Sequence, residues 1–285
     1  MTAMWAAVLA AACCAAGRAA DRPKSAAPRV EVDVAYAAGG DRQKLDLYLP
    51  AKKGFATVVF IYGGGWHTGS RKSVTVVGKK LQSLGYGCAL ISHRLSPQDK
   101  FPAQVEDTAA AFAWVKKQIG ARGGNPRRVF LMGHSSGAHL ALLLATDPIY
   151  LARHKLAPAD VRGVVGLSPP VDLGPRKDGR GFGDALLAGR GADVFSRDPA
   201  VMRDASPVRH LGKHLPPTLL VVGERDFPML EGDAKAFAQK AKRLGLRVPV
   251  HVAKGCNHMA VVRGLLDDKG PVLAVVQKFL AKRTK

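Results

Sequence analysis

The residues that could do chemistry begin with Gly133-His134-Ser135-Ser136-Gly137, set between the apolar run 129–132 and the breaker-free, Ala/Leu-rich stretch 138–145. An apolar run that becomes a helical pattern within one Gly-x-Ser-x-Gly reads as a buried strand, a sharp turn and a helix. The glycines flank a turn too tight for Cβ atoms, and the strained turn lifts the serine Oγ above the sheet edge. Ser135 is therefore a candidate nucleophile. A serine hydroxyl attacks only with a base to take its proton, an acid to hold that base and N–H groups to receive the oxyanion.

The elements that must position such groups follow from the alternation of the chain. Residues 29–34 and 45–49 read as an early hairpin and 56–61 as a buried strand. Strands and helices then take turns: helix 73–84, strand 86–92, helix 103–119, strand 128–132, strand 161–167, strand 218–222, helix 230–244, strand 248–252 and helix 271–280. In the helix over 103–119, Val105, Ala109, Phe112, Val115 and Ile119 fall near one face, with Lys116, Lys117 and Gln118 turned away. Such alternation predicts one α/β domain over residues 25–285, with a mostly parallel central sheet and helices on both faces. The 285 residues, 47% hydrophobic, suffice for its core. Residues 174–204 break the rhythm with Gly174, Gly179, Gly181, Gly183, Gly189 and Gly191 among charges. They read either as a surface loop or as a small lid over a site.

The text around Ile61-Tyr62-Gly63-Gly64-Gly65-Trp66 carries a resemblance. With Gly-His-Ser-Ser-Gly it resembles the α/β-hydrolase fold, and within it esterases with His-Gly-Gly-Gly-Trp, including feruloyl/acetylxylan-type carboxylesterases and kynurenine formamidase-like enzymes. His93-Arg94-Leu95-Ser96-Pro97, Phe101-Pro102-Ala103 with Asp107, and the stretch 133–140 resemble further motifs of that family, so the likeness runs over about 56–258. The resemblance implies that Gly63, Gly64 and Ser136 supply the oxyanion N–H groups. Tyr62 stands where the motif has His, a residue that normally braces the loop.

In this fold the acid follows the serine and precedes the base. Asp226, at the end of 218–226, fits best, with Asp172 one strand earlier as the competitor. Glu224 and Asp233 read as solvated or helix-capping charges. Of nine histidines, His258 follows the last strand, precedes a helix and resembles the family's Gly-x-x-His; His134 and His139 read as packing or polar-network residues. Cys256 near His258 has no second Cys/His cluster to complete a metal site, so no metal and no cofactor is expected.

Residues 1–20 read as a secretory signal peptide cut after Ala19 or Ala20, which implies a periplasmic or secreted protein; lipidation at Cys13 is the weaker alternative. The apolar run is too short for a membrane span. The mature chain would keep Cys88 and Cys256, on a central strand and a late loop, a poor pair for a disulfide. The charge of +21, from 43 Lys+Arg against 22 Asp+Glu, is scattered in pairs without interleaved aromatics, which argues against specific nucleic-acid binding. Composition leaves oligomeric state open.

The resemblance implies a serine carboxylesterase acting on small or aromatic esters, with Ser135, His258 and Asp226 as its triad. Two other readings stay open. One is an arylformamidase-like N-formyl amide hydrolase; the other is a catalytically silent binding protein on this fold, which the presence of His258 disfavours.

Overall fold

The computed structural model describes residues 27–189 and 191–284; the leader expected over residues 1–20 lies outside them. In chain order the elements are β1 (Arg29–Ala35), β2 (Lys44–Leu49), β3 (Phe55–Ile61), α1 (Thr75–Ser83), β4 (Gly87–Ile91), α2 (Ala103–Gln118), β5 (Gly124–His134), α3 (Ser136–Thr146) and α4 (Pro148–Ala152). There follow β6 (Val164–Leu167), α5 (Phe182–Ala188), α6 (Gly191–Phe195), α7 (Pro199–Asp204), β7 (Thr218–Arg225), α8 (Pro228–Arg243), β8 (Val250–Asn257), α9 (His258–Arg263) and α10 (Pro271–Ala281). The eight strands form one sheet in the order β1-β2-β4-β3-β5-β6-β7-β8. β1 and β2 add antiparallel and β3 to β8 run parallel, so the expected mixed α/β-hydrolase architecture is present.

The apolar runs explain the strand positions. All seven residues of β3 are buried, as a strand covered on both faces requires. Its side chains alternate: Val59 and Ile61 join the core beneath α2, α3 and α8, whereas Val58 and Phe60 join the core beneath α1, α9 and α10. Helix α3 is buried along its whole length, which is why its sequence has no polar stripe. Cys88 in β4 and Cys256 in β8 are free, with four strands between theirs.

The chain passes from β3 to β4 on one side and from there to β5 on the other, which opens a crevice at the carboxyl ends of β3 and β5. Register then decides what meets there. Ile61 pairs with Gly133, His134 with Leu167, and Arg225 with Asn257. The residues just beyond these pairs are the glycine loop beside Ser135, Ser168 beside Ser135, and Asp226 beside His258.

Sequence reading missed a fully buried arginine. The Arg71 guanidinium donates to Asp41 (2.9 Å), Asp46 (3.0 Å) and Asp33, tying the β1–β2 connection to the segment before α1. Its amide N–H and Nη1 also reach Ser92 Oγ, both at 3.1 Å. Arg71→Met should destabilise the fold by about 3 kcal/mol in urea unfolding, because it strands the buried Asp46 carboxylate. A loss below about 0.5 kcal/mol, typical of an exposed pair, would show that the cluster is dispensable.

Candidate active site

The turn after β5 has the conformation its glycines suggest. Ser135 sits at φ 54°, ψ −122°, an unfavourable region for a residue with a Cβ. A Cβ on Gly133 would lie 2.3 Å from the Gly137 carbonyl oxygen, and one on Gly137 would lie 2.3 Å from the carbonyl oxygens of Ile61 and Tyr62. Both glycines are thus required by close backbone approach. The Ser135 N–H donates to Leu167 O (2.8 Å), which fixes the turn to β6.

Ser135 Oγ donates to His258 Nε2 at 2.8 Å, and His258 Nδ1–H donates to Asp226 Oδ1 at 2.6 Å. The proton held on Nδ1 leaves the Nε2 lone pair facing the serine. Asp226 also accepts from Phe227 N–H (2.9 Å) on Oδ1, and from Gly223 N–H (3.1 Å) and Ser168 Oγ (2.5 Å) on Oδ2. Burial alone would raise its pKa; the bonds from His258, Ser168, Gly223 and Phe227 outweigh it and hold the carboxyl down at about 2. The competitor Asp172 is not brought to His258. Its Oδ1 accepts from Gly174 N–H (3.1 Å) in a local turn.

Gly63, Gly64 and Ser136 line the same cavity as Ser135 and His258. Among the described residues no protein carbonyl takes their N–H groups, and the N–H of Ser136 heads α3. A Cβ on Gly63 would stand 3.0 Å from Ser135 Cβ, so only glycine lets this backbone approach Ser135 so closely.

Tyr62 does not occupy the cavity. Its ring is buried and stacks on His93 (centroids 4.8 Å, 7° between planes), and burial pushes the phenol up to about 12. The loop is braced from elsewhere: Gly64 O accepts from the N–H groups of His67 and Thr68, both at 3.1 Å, and Trp66 Nε1–H donates to His139 Nδ1 at 3.3 Å. His139 Nε2–H donates in turn to Ala205 O (2.7 Å). Burial lowers the His139 pKa to about 4, so the ring is neutral and can accept and donate at once. His134 is likewise held near 4, by burial first and by the neighbouring His258 second, and it donates through Nε2 to His258 O (3.0 Å).

The cavity measures about 610 Å³, and Val74, Phe182, Leu186, Phe227, Met259 and Val262 make its walls largely apolar. Phe227 also packs on the His258 ring (4.6 Å between centroids). Segment 174–204 holds α5, α6 and α7, and α5 forms one cavity wall. Phe195 of α6 is buried edge-on against Trp66 (4.8 Å), tying this segment to the glycine loop. Asp233 departs from its expected solvated role. It is buried in α8 and paired with Arg176, and burial raises its pKa against that partner. Glu224 accepts from Gly255 N–H (2.9 Å).

Known proteins agree with this architecture. The sequence model described as BD-FAE matches residues 45–240. The chain belongs to the BD-FAE family. Among curated relatives, the esterase LipC of Mycobacterium tuberculosis is 30% identical over 192 residues, 65% of this chain and 48% of that protein. A probable isoprenylcysteine alpha-carbonyl methylesterase, ICMEL1 of Arabidopsis thaliana, is 27% identical over 261 residues, 85% of this chain and 54% of that protein. The BD-FAE chain thus spans about half the length of these relatives. Among solved structures, a truncated carbohydrate esterase from gut microbiota superposes with a TM-score of 0.78 at 21% identity, covering 92% of this chain and 98% of that one. An esterase of Pyrobaculum calidifontis gives 0.75 at 25% identity, covering 90% and 87%. The α/β-hydrolase fold inferred for the BD-FAE chain is therefore shared with solved esterases. Among the described residues, no helix is long and apolar enough to cross a membrane.

Proposed function

We propose that this chain is a carboxylic-ester hydrolase that works through an acyl-enzyme on Ser135. The observation that carries the reading is the hydrogen-bonded chain from Ser135 through His258 to Asp226, opening onto an apolar cavity beside three unengaged backbone N–H groups. In the first half-reaction His258 Nε2 takes the Ser135 proton as Oγ attacks the ester carbonyl, and Asp226 stabilises the imidazolium. The carbonyl oxygen becomes an oxyanion received by the N–H groups of Gly63, Gly64 and Ser136. The imidazolium returns the proton to the departing alcohol. Water then attacks the acyl carbon as it gives a proton to the same Nε2; collapse of the second oxyanion breaks the bond to Ser135 Oγ, which takes that proton back from His258 as the acid leaves.

The apolar walls support uncharged acyl groups, short aliphatic or aromatic. The esterases and methylesterases among the relatives support ester rather than amide bonds. In this reading residues 174–204 are a cover whose helix α5 limits the acyl group through Phe182 and Leu186. Rates on a chain-length series of p-nitrophenyl esters, measured beside N-formylkynurenine, test it. Short esters should be hydrolysed fastest, and Phe182→Ala should move the optimum to longer chains. An unmoved optimum would detach α5 from the acyl group. A faster rate on N-formylkynurenine would make the protein a formyl-amide hydrolase. Export through residues 1–20 belongs to the same proposal and is tested by the mass of the protein recovered outside the cytoplasm.

A further inference from the structure

The end of β6 carries a second strained serine. Ser168 is fully buried, has φ 52° and lies one residue beyond the His134–Leu167 pair, so it adjoins Ser135 (φ 54°) on the next strand. Positive φ costs a residue with a Cβ on the order of 1 kcal/mol, and such a conformation persists where its surroundings impose it. Here they do so on both sides. Ser168 N–H donates to Val221 O (2.7 Å), and the preceding Leu167 O accepts the Ser135 N–H (2.8 Å). The conformation aims Ser168 Oγ at Asp226 Oδ2, 2.5 Å away.

We infer that Ser168 is the positioning residue of the acid: its hydroxyl fixes the Asp226 carboxylate so that Oδ1 points at His258. The inference rests on the esterase reading above and adds a residue to it. The geometry divides the two carboxylate oxygens between two tasks. Oδ1 takes the His258 proton donor and Phe227 N–H, while Oδ2 takes Ser168 Oγ and Gly223 N–H. Without the hydroxyl, Oδ2 keeps the Gly223 N–H alone, and the carboxylate is held less firmly against turning about its Cβ–Cγ bond. It also becomes more basic, since a hydrogen bond that favoured its charged form is gone. The same change strengthens its pull on the His258 proton. Ser168 is not among the residues lining the cavity and its hydroxyl bonds to Asp226, so its effect must pass through Asp226.

Two substitutions separate the hydroxyl from the backbone. Ser168→Ala removes Oγ and keeps the strain, whereas Ser168→Gly removes Oγ and relieves it. Both should lower kcat about ten-fold, with KM unchanged. Both should also move the acidic limb of the kcat profile about half a unit or more to higher pH. In proton NMR the downfield resonance of the proton shared by His258 and Asp226 should shift in both. Ser168→Gly is the safer fold, and if it keeps the wild-type kcat, acidic limb and downfield resonance, the inference is overturned. Loss of rate through KM alone, with the resonance in place, overturns it as well. Retained hydrolysis in Ser135→Ala would instead sink the acyl-enzyme reading, and the downfield proton would still report whether Ser168 holds Asp226.

Discussion

Ser135→Ala is expected to lower kcat for p-nitrophenyl esters by about 10⁴-fold or more, while the protein stays folded. In the acyl-enzyme route proposed above, the hydroxyl oxygen forms the covalent bond. His258 would still accept a proton from water, and the N–H groups of Gly63, Gly64 and Ser136 would still polarise a carbonyl. That leaves the small residual rate of a site with an oxyanion pocket and no nucleophile. Folding is spared because alanine meets the same strain as serine at φ 54°, and the turn is held by backbone contacts of Gly133 and Gly137. Active-site titration with a phosphonate should label wild type at one serine and leave Ser135→Ala unlabelled. A variant that kept a tenth of the wild-type rate, or a label on another residue, would end the acyl-enzyme account.

The second large effect separates the two aspartates. Asp226→Asn should cost about 10⁴-fold in kcat, because an amide NH₂ facing His258 turns the proton onto Nε2 and blocks the attack of Ser135. Asp172→Asn should leave the rate within about two-fold, since an asparagine oxygen accepts the Gly174 N–H equally well. The rates of both variants at one pH decide the matter, with no change needed at Asp233, which Arg176 engages. The reverse pattern would move the acid to the earlier strand. With its pKa near 2, Asp226 is ionised throughout the pH range in which esters are assayed, so the Asp226→Asn variant removes a charge at every assay pH.

Several parts of this site were legible before any coordinates because their signals are local. The strand, turn and helix around Ser135 depend on residues close in sequence: the run 129–132, two glycines at close approach, and a helix start. The glycine loop after β3 is local in the same sense. Asp226 and His258 were legible through their place in the order of elements, since each ends a parallel strand and all such ends share one edge of the sheet. Tyr62 looked like a defect in the loop because the sequence shows only that a histidine is missing. The structure shows the loop tied through Trp66 to His139, a pair separated by 73 positions.

What was not legible depended on register and on partners far apart in the chain. Arg71 reads as one surface cation among forty-three basic residues until β1 and β2 fold three aspartates around it. Asp233 reads as a polar helix position until Arg176 arrives from the glycine-rich segment 174–204. Ser168 carries no motif at all, and its bond to Asp226 spans 58 positions. The sequence by itself determined the α/β alternation, the serine on the turn after β5 and the places of Asp226 and His258 after later strands, because hydrophobic period and turn chemistry act over a few residues. Only the tertiary structure decided which oxygen of Asp226 meets which donor, because strand pairing brings the ends of β5, β6, β7 and β8 within hydrogen-bond reach of one another.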